Sequence, residues 1–339
     1  MNLKSKSIAI INARAPSRVD FSGGTLDIPF FTRRETGVTL NCGIAKYGYV
    51  NIFSSNSRNI IVNSLDYNMI LTIKKNITYD GKLDLIKAAL KLTNFFNSVE
   101  IVTRHEMPPH SRLGASSSLS IALLAAIARF RNENLNKEEL VRVATEMERK
   151  ELKLENGSQD QYASAFGGIN LLKFVKGKVI RKQVNLKDDI LFELEKNLLL
   201  CYTGQSTISG DLNKKIREEY EKGNEKIIRA LRNIREITFS MYKQLIHGNL
   251  EDFAFLLNEE RKNREKLSTY IVKGLEKFID VGLKNGAISA KILGAGGGGT
   301  LLFYINEKEI KKFIKKLTNI GATIYNFRFD FSGVKTWAI

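Results

Sequence analysis

The sequence predicts a mixed, α+β protein of two domains. Three observations carry that expectation. The chain has 339 residues, more than the roughly 250–300 that one core usually holds. Short runs rich in β-branched residues alternate with longer segments of helical apolar spacing. The most glycine-rich run, GAGGGG at 294–299, is followed by TLLFYI, which reads as a strand. That run matches G-x-G-x-x-G, but a dinucleotide fingerprint must follow a strand and open a helix, so a Rossmann domain is excluded. The glycines mark a loop where backbone passes very close to something else, expected to be a ligand.

Taken in order, residues 8–14, 37–53 and 59–65 read as strands. The first run is β-branched and leads into Arg14 with no small-residue cleavage site, so it reads as a strand rather than a signal peptide. Residues 80–96 have helical spacing, and 98–104 alternate as a strand that ends before Pro108-Pro109. An almost unbroken apolar helix follows from about 117 to 132. An amphipathic helix spans 136–152, with Asn136 as its cap. ENGSQDQY (155–162) reads as a turn, and 166–174 as a strand. The second half carries helices over about 212–247, 250–264, 268–285 and 307–319. Strands near 196–203, 288–293, 300–305 and 322–329 interleave with them. The boundary is expected in a strand-rich stretch between 175 and 195, giving domains 1–185 and 186–339.

Composition narrows the function. No apolar run reaches the roughly 18 residues of a membrane span, so no membrane partner is expected. The two cysteines, Cys42 and Cys201, lie far apart and form no CxxC, which fits a reducing cytoplasm. The three histidines show no zinc-ligand spacing, which argues against a transition-metal enzyme. The net charge of +17 suits an anionic partner. Many lysines, however, stand beside glutamates in helical stretches such as NEKIIRALRNIRE and read as solvated faces. A nucleic-acid binder would interleave aromatic and basic residues on one face. Here the aromatics lie in apolar runs, and nucleic acid is not the expected partner.

The apolar helix raises a chemical question, because HSRLGASSSLS leads into it. There is no G-x-x-x-x-G-K-[ST] and no H-R-D or D-F-G set, so neither a P-loop NTPase nor a protein kinase is indicated. A loop feeding a helix N-terminus still offers free N–H groups and the positive end of the macrodipole to phosphate. Taken alone, the serines are better explained as caps.

Three separated features decide between these readings. They are RAPSRVDFSGGTLD (14–27), the loop and helix at 108–127, and the late LGAGGGG. In this order they resemble the GHMP small-molecule kinases over essentially the whole chain. RAPSRVDFSGG, GSQDQYASAFGGIN and the C-terminal GVKTWAI resemble the D-glycero-D-manno-heptose 7-phosphate kinase group in particular.

The resemblance implies a two-domain GHMP kinase fold. Its N-terminal domain would be like ribosomal protein S5 domain 2, its C-terminal domain ferredoxin-like, and its active site in the cleft between them. The implied activity is ATP- and Mg²⁺-dependent phosphorylation of a sugar or sugar phosphate. The anomeric hydroxyl of the heptose 7-phosphate comes first, and an unphosphorylated galactose- or fucose-type sugar is the alternative. Asp160 falls at the catalytic aspartate and Arg18 at the cation beside it. The ATP phosphates would meet Pro109, Arg112, Gly114, Ala115, Ser116, Ser117 and Ser118. Mg²⁺ would be held by Ser116 and Glu148. The sugar would meet Asp27, Gly23 and Gly24, with Gly296 and Gly297 of the late loop nearby. Without the resemblance, Asp160 reads as a turn residue, Arg18 as a surface arginine, Asp27 as a helix cap and Glu148 as part of a solvated helix face.

The sequence departs from the group's pattern at several positions. His110, Arg112 and Thr25 stand where glycine is usual, Ala115 where serine or glycine is usual, and Leu26 where threonine is usual. Thr207 occupies a position expected to hold arginine. An inactive sugar sensor on the same fold would not need Arg18, Asp160 and Ser116, and all three are present. A cytoplasmic monomer or homodimer is expected.

Overall fold

A computed structural model describes residues 10–206, 212–268, 270–294, 296 and 298–339. The first half runs β1 (Ile10–Ser22), α1 (Pro29–Thr32), β2 (Gly37–Ser54), β3 (Ile60–Ser64), β4 (Met69–Ile73), α2 (Asp84–Leu92), β5 (Val99–His105) and α3 (Ala115–Phe130). It continues through α4 (Lys137–Glu146), a π-helical turn (Met147–Glu151), α5 (Gln159–Phe166), β6 (Ile169–Val175) and β7 (Lys178–Val184). The second half is α6 (Asp188–Asn197), β8 (Leu198–Ser206), α7 (Leu212–Glu221), α8 (Glu225–His247), α9 (Leu250–Glu265) and α10 (Glu276–Lys284). It ends with β9 (Ala287–Ile292), β10 (Gly298–Ile305), α11 (Ile310–Thr318), β11 (Thr323–Tyr325) and β12 (Lys335–Ala338).

Two sheets organise these elements. The first, of eight strands, has the order β12-β1-β2-β5-β3-β4, with β6 and β7 branching from β2. The branch exists because β2 is long: its first half pairs with β6 and its second with β5. The second sheet is antiparallel, in the order β11-β8-β10-β9. Helix α3 is buried along nearly its whole length and packs on β1, β2, α4 and α5. A helix that is apolar all round needs such cover on every side. The two halves share an apolar core. Phe21 of β1 meets Phe253 of α9 edge-on at 5.3 Å, and Phe30 and Phe31 flank Tyr220 of α7.

The expected elements are corrected at four places. The turn expected at 155–162 contains the start of α5, so Asp160 sits in a helix's first turn. The single helix expected over 212–247 is two, because Gly223 takes φ +81° and Asn224 caps α8 through Lys226 N–H at 3.1 Å. The stretch between 175 and 195 is one strand followed by helix α6. Finally, β12 returns to the first sheet beside β1, so the chain's end does not stay with the second sheet. Among the described residues, no helix is long and apolar enough to cross a membrane.

Candidate active site

The chemistry-bearing residues converge on a cavity of about 750 Å³. Its walls are the end of β1, the loop after it, the loop entering α3, the π-helical turn and the start of α5. The cleft was expected between the halves. Most of its lining comes instead from the first half, with Asn213 and Gly294 from the second.

Arg18 leaves β1 into this cavity and is buried. Its Nε donates to Asp160 Oδ1 at 2.7 Å and its Nη2 to Oδ2 at 3.0 Å. Such a two-pronged pair fixes both side chains in one plane. Burial opposes the guanidinium charge, but the Asp160 carboxylate outweighs it and raises the Arg18 pKa. The same side chain holds the loop entering α3, because Nη1 donates to the Arg112 carbonyl at 2.5 Å. Gly114 makes this approach possible. It has φ +70°, and a Cβ there would lie 3.1 Å from Arg18 Cγ and 3.3 Å from Asp160 Oδ2.

Gly114 is also the N-cap of α3, and no side chain caps the helix. Ser118 N–H is taken by the Gly114 carbonyl at 2.9 Å. The amides of Ala115, Ser116 and Ser117 therefore form the helix's open end. All three residues line the cavity, as do Pro109 and Arg112. Ser118 does not fit the expected role. It is fully buried, its hydroxyl donates to the Ala115 carbonyl at 3.1 Å and lies 3.1 Å from His105 Nε2. Neither its amide nor its hydroxyl is left for a phosphate.

Asp27 is buried, and its Oδ2 accepts Gln159 N–H at 3.0 Å. Gly157 is the reason it fits, since a Cβ at 157 would overlap the Asp27 carboxyl group outright. Burial pushes the Asp27 carboxyl up to about 6, with the Asp160 charge adding to the rise and Arg149 opposing it. Glu148 sits on the π-helical turn, a feature frequent at functional sites. It is 2% exposed. Asn156 and Gln161 both donate to its Oε2, while Oε1 is buried without a hydrogen-bond partner. Burial, helped by Asp160, pushes this carboxyl up to about 7.

Both carboxyls thus favour the protonated form in the folded protein more than in the unfolded chain. Their stabilising contribution is complete below the unfolded values and lost as pH rises through about 6 for Asp27 and about 7 for Glu148. For Glu148 the loss is on the order of 3 kcal/mol. Glu148→Gln should therefore melt higher than the parent at pH 8 and close to it at pH 5. Parallel melting curves at the two pH values would contradict this.

The remaining expected site residues are divided. Gly24 lines the cavity. Gly23 does not; its φ of +93° and lack of a Cβ let β1 turn hard against Val38 of β2. Gly296 packs on Ile271 rather than facing the cavity. Gly297 and Thr207 lie outside the described residues. The close partner of the late glycine loop is Arg112. A Cβ on Gly294 would lie 3.0 Å from Arg112 Cβ, and one on Gly299 would collide with Arg112 Cγ. Thr300 Oγ1 donates to the Ser111 carbonyl at 2.7 Å. The glycine loop thus braces the loop entering α3 at Ser111 and Arg112.

The three substituted glycine positions share one property. Thr25, His110 and Arg112 have φ of +81°, +63° and +66°. The chain keeps a glycine-type backbone there with side chains attached, at about 1–2 kcal/mol each.

Sequence reasoning missed the cavity's other end, where Tyr67, Met69, Leu83, Leu85 and Ile86 make an apolar wall. It also missed Asp20, buried at 1% exposure on the cavity's rim. A charged residue among the buried positions of β1 was the available signal.

Comparison with known proteins decides the family. Residues 83–168 match the model of the GHMP kinases N terminal domain, and residues 241–323 that of the GHMP kinases C terminal domain. The chain is 30% identical to the D-glycero-alpha-D-manno-heptose 7-phosphate kinase of Campylobacter jejuni, over 97% of this chain and 99% of that protein. The chain belongs to the GHMP kinases. As a GHMP kinase it is a phosphotransferase with ATP as donor. Its fold superposes on the crystal structure of a D-glycero-D-manno-heptose 1-phosphate kinase from Bacteriodes thetaiotaomicron with a TM-score of 0.82 and 27% identity, covering 97% and 99% of the two chains. Lactococcus lactis galactokinase, at 18% identity, shares the fold with a TM-score of 0.79 over 96% of this GHMP kinase and 95% of its own chain.

Proposed function

We propose that this kinase transfers the γ-phosphoryl group of ATP to a sugar phosphate, D-glycero-D-manno-heptose 7-phosphate, at its anomeric hydroxyl. The observation that carries the reading is the Arg18–Asp160 fork set in one cavity with the open N-terminus of α3 and the buried Asp27. The similarity to a heptose 7-phosphate kinase along the full chain supports the choice of sugar.

Phosphoryl transfer asks for alignment and charge stabilisation more than covalent help. The amides of Ala115, Ser116 and Ser117, with the helix dipole behind them, receive the ATP phosphates. The base stacks into the apolar end between Tyr67, Met69 and Leu83. Asp27 accepts hydrogen bonds from sugar hydroxyls and so orients the ring. Asp160 accepts the proton of the attacking hydroxyl. Arg18 holds Asp160 in its plane and offsets negative charge beside the transferring group. Asp27 acts as a carboxylate, so activity should rise with pH through about 6.

The residues present suit Mg²⁺. Glu148 Oε1 is a buried acceptor without a partner on the cavity wall, and the exposed Ser116 lines the same cavity. Among the described residues no group of three or more His, Cys, Asp or Glu forms a metal cage. Mg²⁺ needs none, because it takes one or two protein ligands and fills the rest with phosphate and water. When bound there, it supplies charge neutralisation at the phosphates.

The two proposed domains, 1–185 and 186–339, divide where the chain passes from one sheet to the other between Val184 and Leu198, with β12 crossing back. Two buried free thiols, Cys42 and Cys201, favour the cytoplasm as the place of action.

Phosphorus NMR of the product tests the acceptor position. The added phosphate should couple to the single anomeric proton. A phosphate coupled to any other ring proton would contradict the anomeric assignment.

A further inference from the structure

Four ionisable side chains that the transfer step does not use meet where α9 and β9 press against the end of β1. They are Asp20 of β1, Glu260 and Arg264 of α9 and Lys291 of β9, each no more than 1% exposed. Arg264 Nε and Nη2 donate to Glu260 Oε1 at 3.0 and 2.8 Å. Lys291 Nζ lies 2.8 Å from Glu260 Oε2 and 3.7 Å from Asp20 Oδ2. The set pairs two acids with two bases, and burial pushes the Lys291 pKa down against the pull of Asp20 and Glu260. Burial opposes the Glu260 charge, but Arg264 and Lys291 outweigh it and hold its pKa low.

Such a network is a poor device for stability alone. Desolvating buried charges offsets most of their attraction, and apolar replacements are often as stable. Apolar contact between α9 and β1 is already supplied by Phe21 and Phe253. The network does have one connection that a purely structural cluster does not need. Arg264 Nη2 also donates to the Gly24 carbonyl at 3.0 Å. A Cβ at residue 24 would lie 2.6 Å from Asp20 Oδ2 and 2.9 Å from Arg264 Nη2, so the loop seats here only as glycine. Gly24 and Asp27 are on one short loop and both line the cavity. Leu26 N–H on the Gly23 carbonyl at 3.0 Å and Ile28 N–H on the Thr25 carbonyl at 3.3 Å make that loop a pair of tight turns. Displacing residue 24 therefore moves Asp27.

We propose that Arg264, held by Glu260 and Lys291, is a positioning residue that fixes the Gly24 carbonyl and thereby sets Asp27 for the acceptor. The inference rests on the reading of Asp27 as an acceptor contact. Reach is what matters: the single nitrogen Nη2 serves both Glu260 Oε1 and the Gly24 carbonyl, and a lysine Nζ, which stands where the guanidinium carbon is, ends one bond short of it.

The test uses full-length Arg264→Lys, with Gly24→Ala as an independent way to disturb the same contact and Asp27→Ala as the benchmark. KM for heptose 7-phosphate and for ATP are measured separately, together with melting temperature. Both Arg264→Lys and Gly24→Ala should raise the acceptor KM about tenfold, the scale of one lost charge-assisted hydrogen bond, and leave the ATP KM unchanged. Arg264→Lys should also melt lower than the parent, because a buried pair loses hydrogen bonds, so the split between the two KM values, not the melting temperature, reads the positioning role. If Asp27→Ala is selective for the acceptor while the other two variants are silent, or raise both KM values together, the positioning role is overturned and the reading of Asp27 stands. If Asp27→Ala itself affects both substrates equally, that reading fails and the positioning role fails with it.

Discussion

Asp160→Asn should lower kcat by a factor on the order of 10²–10⁴ while leaving ATP binding intact. Asparagine keeps the size of the side chain and one oxygen for Arg18. It cannot take a proton from the attacking hydroxyl, and it places an N–H₂ group where Arg18 now meets a second carboxylate oxygen. The α3 amides proposed to receive the phosphates belong to another element and are untouched, so nucleotide affinity should hold. The carboxyl group is about a quarter exposed, so water can relieve the mismatch with Arg18 and the fold should survive. Single-turnover kinetics and nucleotide titration separate the two effects. A variant that turns over near the parent rate would remove Asp160 from catalysis, and one that loses ATP affinity to the same extent would make it a structural residue.

Gly157→Ala should be nearly as damaging, through the acceptor rather than the chemistry. Any Cβ at 157 enters the space of the Asp27 carboxyl group. Either Asp27 leaves, losing Gln159 N–H at 3.0 Å, or the 156–159 turn backs away and takes Asp160 with it. The first outcome raises the acceptor KM by about 10- to 100-fold, as for a lost hydrogen bond to a charged group. Overpacking of this kind also costs about 1–3 kcal/mol of stability. Separate titration of acceptor and ATP checks it. Unchanged KM values for both would show that Asp27 is not where the acceptor binds.

How much of this was legible in the sequence depends on whether the signal was local. The apolar run of α3 and the serines at its start are local, and they pointed to the helix N-terminus. Successive helical residues are about 100° apart, however, so Ser116, Ser117 and Ser118 cannot all face one ligand. The structure turns Ser118 inward toward His105. The run of glycines correctly signalled a close approach, but sequence cannot name the approaching partner, and for Gly294 and Gly299 it is Arg112.

The acceptor side was less legible. Asp27 and Gly157 are remote in sequence, and only the folded turn shows that one excludes a side chain at the other. The charges of NEERKNRE look like a solvated helix face. Glu260 and Arg264 lie one turn apart on the face that packs inward, and their counter-charge Lys291 arrives from a different strand. The lone lysine in the apolar strand SAKIL was the visible hint. Glu148 had the same ambiguity, and its burial on a π-helical turn excludes the solvated face.

The central claim is that the cavity recognises a phosphorylated sugar as acceptor. The most direct measurement is ADP release by the purified kinase with Mg²⁺-ATP and each of D-glycero-D-manno-heptose 7-phosphate, the unphosphorylated heptose, galactose and fucose. The heptose 7-phosphate should exceed the others in kcat/KM by on the order of 10²-fold or more, as expected when a site built for a polar group meets analogues without it. Equal or faster turnover of an unphosphorylated sugar would contradict the claim.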